Sequence, residues 1–220
     1  IMSAICLCIF TSLLISCTLV PEPVATRFLR EALSSFGFLR SAFVIEPIMA
    51  CWRFKILSSR LAVSSCFLIL PMPGNEAMAG ALAERLDAEL GVLDWRRFPD
   101  SEAYVRIASE VRGKRVYIVC TLANPDPQML TLVFAAAAAR ECGAESVYLI
   151  APYLAYMRQD KRFKPGEAVS ATHFARLISQ HFDALVTVDP HLHRIRGLET
   201  IFSIPTHVGA AAPLLGEWIA

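Results

Sequence analysis

Residues 151–167 read A-P-Y-L-A-Y-M-R-Q-D-K-R-F-K-P-G-E. Arg158, Lys161, Arg162 and Lys164 are fixed cations in one short stretch, with Gln159 and Asp160 among them. Such a loop suits a polyphosphate, because a guanidinium can grip phosphate through two parallel hydrogen bonds. Charge alone fits a solvated basic loop equally well. A second segment tips the balance, Val188-Asp189-Pro190-His191-Leu192-His193. In an extended chain His191 and His193 project to the same side. Beside Asp189 they could serve a divalent cation or a phosphate, or stand as surface histidines at a strand end. Magnesium prefers oxygen ligands and keeps much of its water, so a histidine role there is partial or water-mediated. A third segment, Arg97-Phe98-Pro99-Asp100-Ser101-Glu102, pairs a ring with two carboxylates. These could stack on a base and accept from its exocyclic amine. Taken alone, Pro99-Asp100-Ser101 reads better as an ordinary polar turn. His173 reads as a structural residue, and Arg194 and Arg196 either line the same crevice or are solvated.

Something must hold these segments at one place. Before the basic stretch, residues 146–150 (S-V-Y-L-I) have the bias of a buried strand, which Pro152 stops. Pro165-Gly166 closes the stretch as a turn. Order begins with a strand at 67–70, ended by Pro71, and Asn75 is placed to cap a helix over 77–90. Met78, Leu82, Leu86 and Leu90 lie four apart on one face of that helix. Strands follow at 92–98, 104–107 and 115–120, the 104–107 strand alternating in and out. A helix covers 128–142, introduced by Asn124-Pro125-Asp126-Pro127. Ser170 caps a helix to 181, and a strand covers 184–188. Residues 201–204 are short and β-like, and 210–219 are helical. Strands alternating with helices of this length predict an α/β fold with a mainly parallel sheet flanked by helices. In such a sheet ligands bind outside the carboxyl ends of the strands.

The 220 residues are 55% hydrophobic with a formal charge of +1, so nothing points to general nucleic-acid binding. Five of the seven cysteines (Cys6, Cys8, Cys17, Cys51 and Cys66) fall early, without disulfide or CxxC spacing. Cys120 and Cys142 have apolar neighbours and are expected to be reduced and buried. The later part therefore reads as a reduced, cytoplasmic domain.

Taken together, R-F-P-D-S-E (97–102), V-R-G-K-R-V-Y-I-V (111–119), A-P-Y-L-A-Y-M-R-Q-D-K-R (151–162) and T-V-D-P-H-L-H-R-I-R-G (187–197) resemble ribose-phosphate pyrophosphokinase, also called phosphoribosyl pyrophosphate synthetase. Four motifs in order cover the family's N-terminal half from about Phe67 to Ala220. The resemblance implies a phosphoribosyltransferase-like N-terminal domain of a two-domain enzyme. It implies transfer of the β,γ-diphosphoryl group of ATP to O1 of ribose 5-phosphate, with Mg²⁺, giving phosphoribosyl pyrophosphate and AMP. By the same resemblance Phe98, Asp100 and Glu102 hold adenine, often that of a neighbouring subunit's ATP, which implies a homo-oligomer. Arg158 and Gln159 contact ATP, Arg158 at the phosphates. His191 helps place the Mg²⁺–ATP complex, with Asp189 and His193 as further metal candidates. Three positions depart from the family's pattern. Phe163 stands where many members carry an acidic residue, and Pro190 and His193 replace commoner residues, which suggests a divergent branch.

The family's second domain carries an acidic phosphoribosyl-binding loop and a catalytic Lys/Arg flap, and neither motif occurs before Ala220. The catalytic residues are therefore expected outside this stretch, and the 220-residue polypeptide alone is not expected to turn over. The domain reading is a hydrophobic, Cys-rich extension over 1–65 and the pyrophosphokinase N-terminal domain over 66–220. Residues 1–21 are uncharged and long enough to span a bilayer, yet Ser, Thr and Cys dilute them and no basic region precedes them. The preferred expectation for 1–65 is poorly ordered or spurious upstream sequence, ahead of a membrane or targeting segment and of a folded extension. The alternative function is a non-catalytic, synthetase-associated subunit that binds nucleotide or regulates a partner.

Overall fold

A computed structural model describes residues 66–219, so the expectations for 1–65 lie outside the described residues. The elements run β1 (Phe67–Pro71), α1 (Glu76–Leu86), β2 (Glu89–Leu90), β3 (Leu93–Arg97), β4 (Ala103–Ile107), β5 (Arg115–Val119), α2 (Pro125–Glu141), β6 (Ser146–Ala151), α3 (Ser170–His181), β7 (Ala184–Val188), a 3₁₀ turn (Leu198–Thr200), β8 (Thr206–Gly209) and α4 (Ala212–Ile219). Six strands form one sheet in the order β2-β1-β5-β6-β7-β8, every pair parallel. Strands β3 and β4 form a separate antiparallel hairpin.

The period-2 geometry of the strands divides their side chains between two apolar layers. Leu68, Leu70, Val116, Ile118, Val147, Leu149 and Leu185 face one way, against Leu132, Ala135, Ala136 and Ala139 of α2 and Ala171, Phe174, Ala175 and Ile178 of α3. Ile69, Tyr117, Val119, Ile150 and Val186 face the other way, together with Met78, Ala79, Leu82 and Ala83 of α1. Leu68, Ile69, Leu70, Val116, Ile118 and Val119 are fully buried. Burying one such side chain stabilises the fold by about 1.5–3 kcal/mol. The run of alanines in α2 favours helix and lets its backbone approach the sheet. Pro125 opens α2 at a position whose missing N–H costs nothing.

Several elements differ from the sequence reading. The first helix ends at Leu86, not Leu90, because Asp87 adopts a left-handed conformation (φ 52°) and its N–H caps Ala83 and Glu84. Leu90 therefore lies in β2 and is exposed. Asn75 occupies the position before α1, yet its side chain does not cap the helix. It donates to Met72 O and Pro73 O and accepts from Thr121 N at 2.8 Å. Ser170 is the first residue of α3, which Val169 precedes without a side-chain cap. Residues 201–204 are not a strand; β8 follows them after Pro205. The expected alternation of 104–107 is present: Val105 and Ile107 pack against the core and Arg106 between them is exposed, on a hairpin that packs against α2. Cys120 is buried as expected, whereas Cys142 caps α2 and is exposed.

Candidate functional site

The strand order reverses between β1 and β5, the usual place for a ligand crevice in a doubly wound sheet. Here the Asn75–Thr121 hydrogen bond ties the two strand ends together at that point. The charged segments instead follow β6 and β7, which are adjacent and paired with Ala151 opposite Thr187. Both loops therefore leave the carboxyl edge of the sheet side by side. Two non-glycine residues with positive φ fall in them, Tyr156 (61°) and Asp189 (40°). Such backbone costs on the order of 1–3 kcal/mol and persists only where the surroundings fix it.

The loop after β6 is organised by a carboxylate that the sequence reading passed over. Glu167 accepts from Phe163 N at 2.7 Å, Lys164 N at 3.0 Å and Gln159 Nε2 at 3.1 Å. The two backbone donors, then the Gln159 amide, hold its carboxyl below the usual carboxylate range. Gln159 Nε2 also donates to Lys161 O. Its amide nitrogen thus works within the loop, while its amide oxygen makes no hydrogen bond among the described residues. Tyr156 packs on Phe174 of α3 at 4.9 Å and donates its hydroxyl to Asp126 in the first turn of α2. That bond, with some burial, pushes the phenol up to about 12.

A second overlooked carboxylate joins the two loops. Asp160 is only 1% exposed at its side chain, and both of its oxygens accept from Arg194 Nη1, at 2.9 and 3.2 Å. The Arg194 guanidinium lies 5.2 Å from the Phe163 ring centroid, and Lys161 Nζ lies 5.1 Å from the same ring. The His191 and His193 rings meet edge to face at 4.1 Å. Partial burial and the nearby His193 and Arg158 hold His191 below its ordinary 6.5, with Asp160 pulling the other way and Arg194 adding to the depression. These surroundings favour the neutral imidazole, which has a lone pair to offer. Arg158, Asp160, His191 and Arg194 thus share one electrostatic neighbourhood. The signal for Asp160 and Glu167 was present as acids interleaved with cations, but sequence does not tell which partner each acid takes.

Asp189 donates its N–H to Gly209 O and accepts from Ala211 N through Oδ2 at 3.1 Å. Its Oδ1 makes no hydrogen bond among the described residues. Among those residues no three His, Cys, Asp or Glu side chains come together as a set able to hold a metal ion.

Phe98, Asp100 and Glu102 lie on the connection between β3 and β4. Phe98 exchanges backbone bonds with Ser101 and Glu102, and Asp100 Oδ1 accepts from Glu102 N at 3.2 Å. Ser101 has positive φ (73°), so the turn expected for 99–101 is real. Phe98 remains 38% exposed, and the Arg96 guanidinium sits 4.9 Å from its centroid and 4.8 Å from that of Tyr104. The hairpin reaches the rim through α2: Arg97 donates to Pro127 O, next to the Asp126 that Tyr156 holds. His173 is exposed on α3, and Lys114 and Arg115 pair with Glu89 and Glu145 at the opposite, amino edge of the sheet.

A sequence model of the N-terminal domain of ribose phosphate pyrophosphokinase matches residues 67–181. The chain belongs to the ribose-phosphate pyrophosphokinase family. The resemblance carried by the four motifs is thereby borne out. The ribose-phosphate pyrophosphokinase of Methanopyrus kandleri is 44% identical over 154 residues, covering 70% of this chain and 52% of that protein. The ribose-phosphate pyrophosphokinase of Methanothermobacter thermautotrophicus is 34% identical over 154 residues, covering 70% and 53%. The crystal structure of phosphoribosylpyrophosphate synthetase from Mycobacterium smegmatis matches with a TM-score of 0.64 at 24% identity, over 70% of this chain and 51% of that one, and speaks to the fold. The chain spans about half the length of the relatives it matches. The mainly parallel sheet flanked by helices is the fold of the pyrophosphokinase family's N-terminal domain. Among the described residues no helix is long and apolar enough to cross a membrane.

Proposed function

We propose that this chain carries most of the ATP site of a ribose-phosphate diphosphokinase, which transfers the β,γ-diphosphoryl group of ATP to O1 of ribose 5-phosphate and releases AMP. The observation that carries this reading is the rim after β6 and β7, where the loops carrying Arg158 and His191 leave paired strands side by side and are joined by the Asp160–Arg194 bridge. Phosphoryl-type transfer depends on positioning and on neutralising polyphosphate charge, and this rim is built for both.

In this reading Arg158 binds the phosphates, and Gln159, steadied by Glu167, presents its amide oxygen to the nucleotide. Phe98 stacks on adenine while Glu102 and the free oxygen of Asp100 accept from its amine. The hairpin carrying them serves a neighbouring subunit's ATP, so the protein is a homo-oligomer, and it is cytoplasmic. Residues 66–220 form the N-terminal domain, with the catalytic groups outside it and 1–65 as a separate extension.

The donor set suits magnesium in a limited way. The imidazole of His191, with His193 against its ring, or the open oxygen of Asp189 matches an ion that takes few protein ligands and completes its shell with phosphate and water. His191 would be its protein contact, with Asp189 and His193 as further candidates that do not form a three-residue set around it. Magnesium would supply charge neutralisation at the transferred phosphates.

Calorimetric titration of the chain with Mg²⁺–ATP tests the reading. The wild type binds, and Arg158→Ala weakens binding by about 1.5–3 kcal/mol through loss of a charge-assisted bond. His191→Ala weakens it mainly when Mg²⁺ is present. Unchanged affinity in both variants rules the site out.

A further inference from the structure

Arg194 lies outside the roles assigned above, yet a buried carboxylate holds it. Asp160 reaches it from the other loop, and a carboxylate sealed from water needs such a partner. Both Asp160 oxygens share a single nitrogen, Nη1. Nη2 and Nε make no hydrogen bond among the described residues, and the Arg194 side chain is 46% exposed. The guanidinium is therefore anchored at one corner with two donor nitrogens, Nη2 and Nε, left to give.

Phe163 explains how the anchoring leaves charge to spare. Its ring supports the guanidinium from beside, 5.2 Å from centroid to Cζ. An acidic side chain at 163 would add a second anion beside Arg194, whereas the ring supplies a surface and a weak cation–π attraction. Lys161 sits against the same ring and adds positive charge. Arg158 lies two residues before Asp160, and His191 three before Arg194. The Asp160–Arg194 bridge thus clasps the two segments that hold the proposed nucleotide ligands.

We infer that Arg194 is a phosphate-binding residue of the polyphosphate site and that Asp160 is the residue that positions it. The inference rests on the ATP-site reading. A guanidinium held in advance loses less freedom on binding, and its planar fork suits two phosphate oxygens.

The test is titration of the 220-residue chain with Mg²⁺–ATP and separately with AMP, for the wild type, Arg194→Gln, Arg194→Lys, Asp160→Asn and the Asp160→Asn/Arg194→Gln double variant. Thermal melts of each accompany it. Arg194→Gln is expected to weaken Mg²⁺–ATP roughly 10- to 100-fold, the loss of a charge-assisted bond, and to leave AMP nearly unchanged. Arg194→Lys falls between, because it keeps charge and loses the fork. Asp160→Asn discriminates by sign. Deleting an anion beside a polyanion would by itself strengthen binding, whereas loss of positioning weakens it. The double variant is expected to be no weaker than Arg194→Gln, since Asp160 acts through Arg194.

Wild-type affinity in Arg194→Gln, with Arg158→Ala still impaired, overturns the inference and leaves the ATP-site reading standing. Equal losses for ATP and AMP that track a lowered melting temperature overturn it in favour of a structural bridge. Stronger ATP binding in Asp160→Asn overturns the role of Asp160. A wild type that binds no Mg²⁺–ATP overturns the inference and the reading together.

Discussion

Asn75 Oδ1 accepts the N–H of Thr121 at 2.8 Å, joining the loop after β1 to the end of β5 across 46 residues of sequence. The same side chain donates to Met72 O and Pro73 O, and the residue is 4% exposed. Replacing Asn75 with Ala strands the Thr121 donor at the point where the sheet reverses its strand order. The expected cost is about 1–3 kcal/mol of unfolding free energy. Urea denaturation measures it, and a midpoint equal to wild type would show that water replaces the bond without loss.

Glu167 gathers Phe163 N, Lys164 N and Gln159 around one carboxylate oxygen. Glu167→Ala should loosen the basic loop without unfolding the sheet. Limited trypsinolysis should cut faster after Lys161 and Arg162, while Lys164 stays protected by the following proline. The pH dependence has a definite sign. A carboxyl held below 4.5 contributes its order fully above that value and loses it as pH falls through its lower folded value. Equal digestion rates for variant and wild type would remove Glu167 from this role.

His191 titrates in the opposite sense to a histidine with an acidic partner. Its folded value lies below 6.5, so the unfolded chain binds more protons between the two values. Stability is therefore retained above 6.5 and falls as pH drops through that window. His191→Gln should flatten this part of the stability profile. Proton NMR of the ring follows the same group directly, and a value at or above 6.5 would contradict the cationic surroundings described.

Cys120 and Cys142 should separate cleanly by reactivity. Burial pushes the Cys120 thiol up to about 12, and its side chain is fully enclosed. Cys142 is exposed at the end of α2. Brief alkylation of the native protein at neutral pH, mapped by mass spectrometry, should label Cys142 and spare Cys120 until denaturant is added. Early labelling of Cys120 would show that β5 opens locally.

Much of this was legible in the chain. Runs such as 67–70, 116–119 and 184–186 are short, apolar on both faces and carry β-branched residues, the pattern of strands covered on both sides. The basic stretch and the Asp189–His193 segment were visible because their residue types are rare in such density. What escaped was partner choice. Asn75 looks like a helix cap and instead spans two strands, because a side-chain amide satisfies whichever backbone groups the fold brings near. Leu90 continues a helical period and yet lies in β2, because Asp87 turns left-handed. Cys142 has apolar neighbours in sequence, but the helix end exposes it. Asp160 and Glu167 sat in plain view among cations, and only three dimensions could assign one to Arg194 and the other to backbone amides.

The pairing of Ala151 with Thr187 has a wider implication. A β-ladder has no intermediate settings: slipping β7 by one residue would invert every side chain on it and displace its exit by about 3.3 Å. Leu185 and Val186, enclosed in opposite apolar layers, forbid that slip. The spacing between the two ionic loops is thus set by oily residues that never meet a nucleotide, and drift in those hydrocarbon positions would detune the chemistry long before it unfolded the protein.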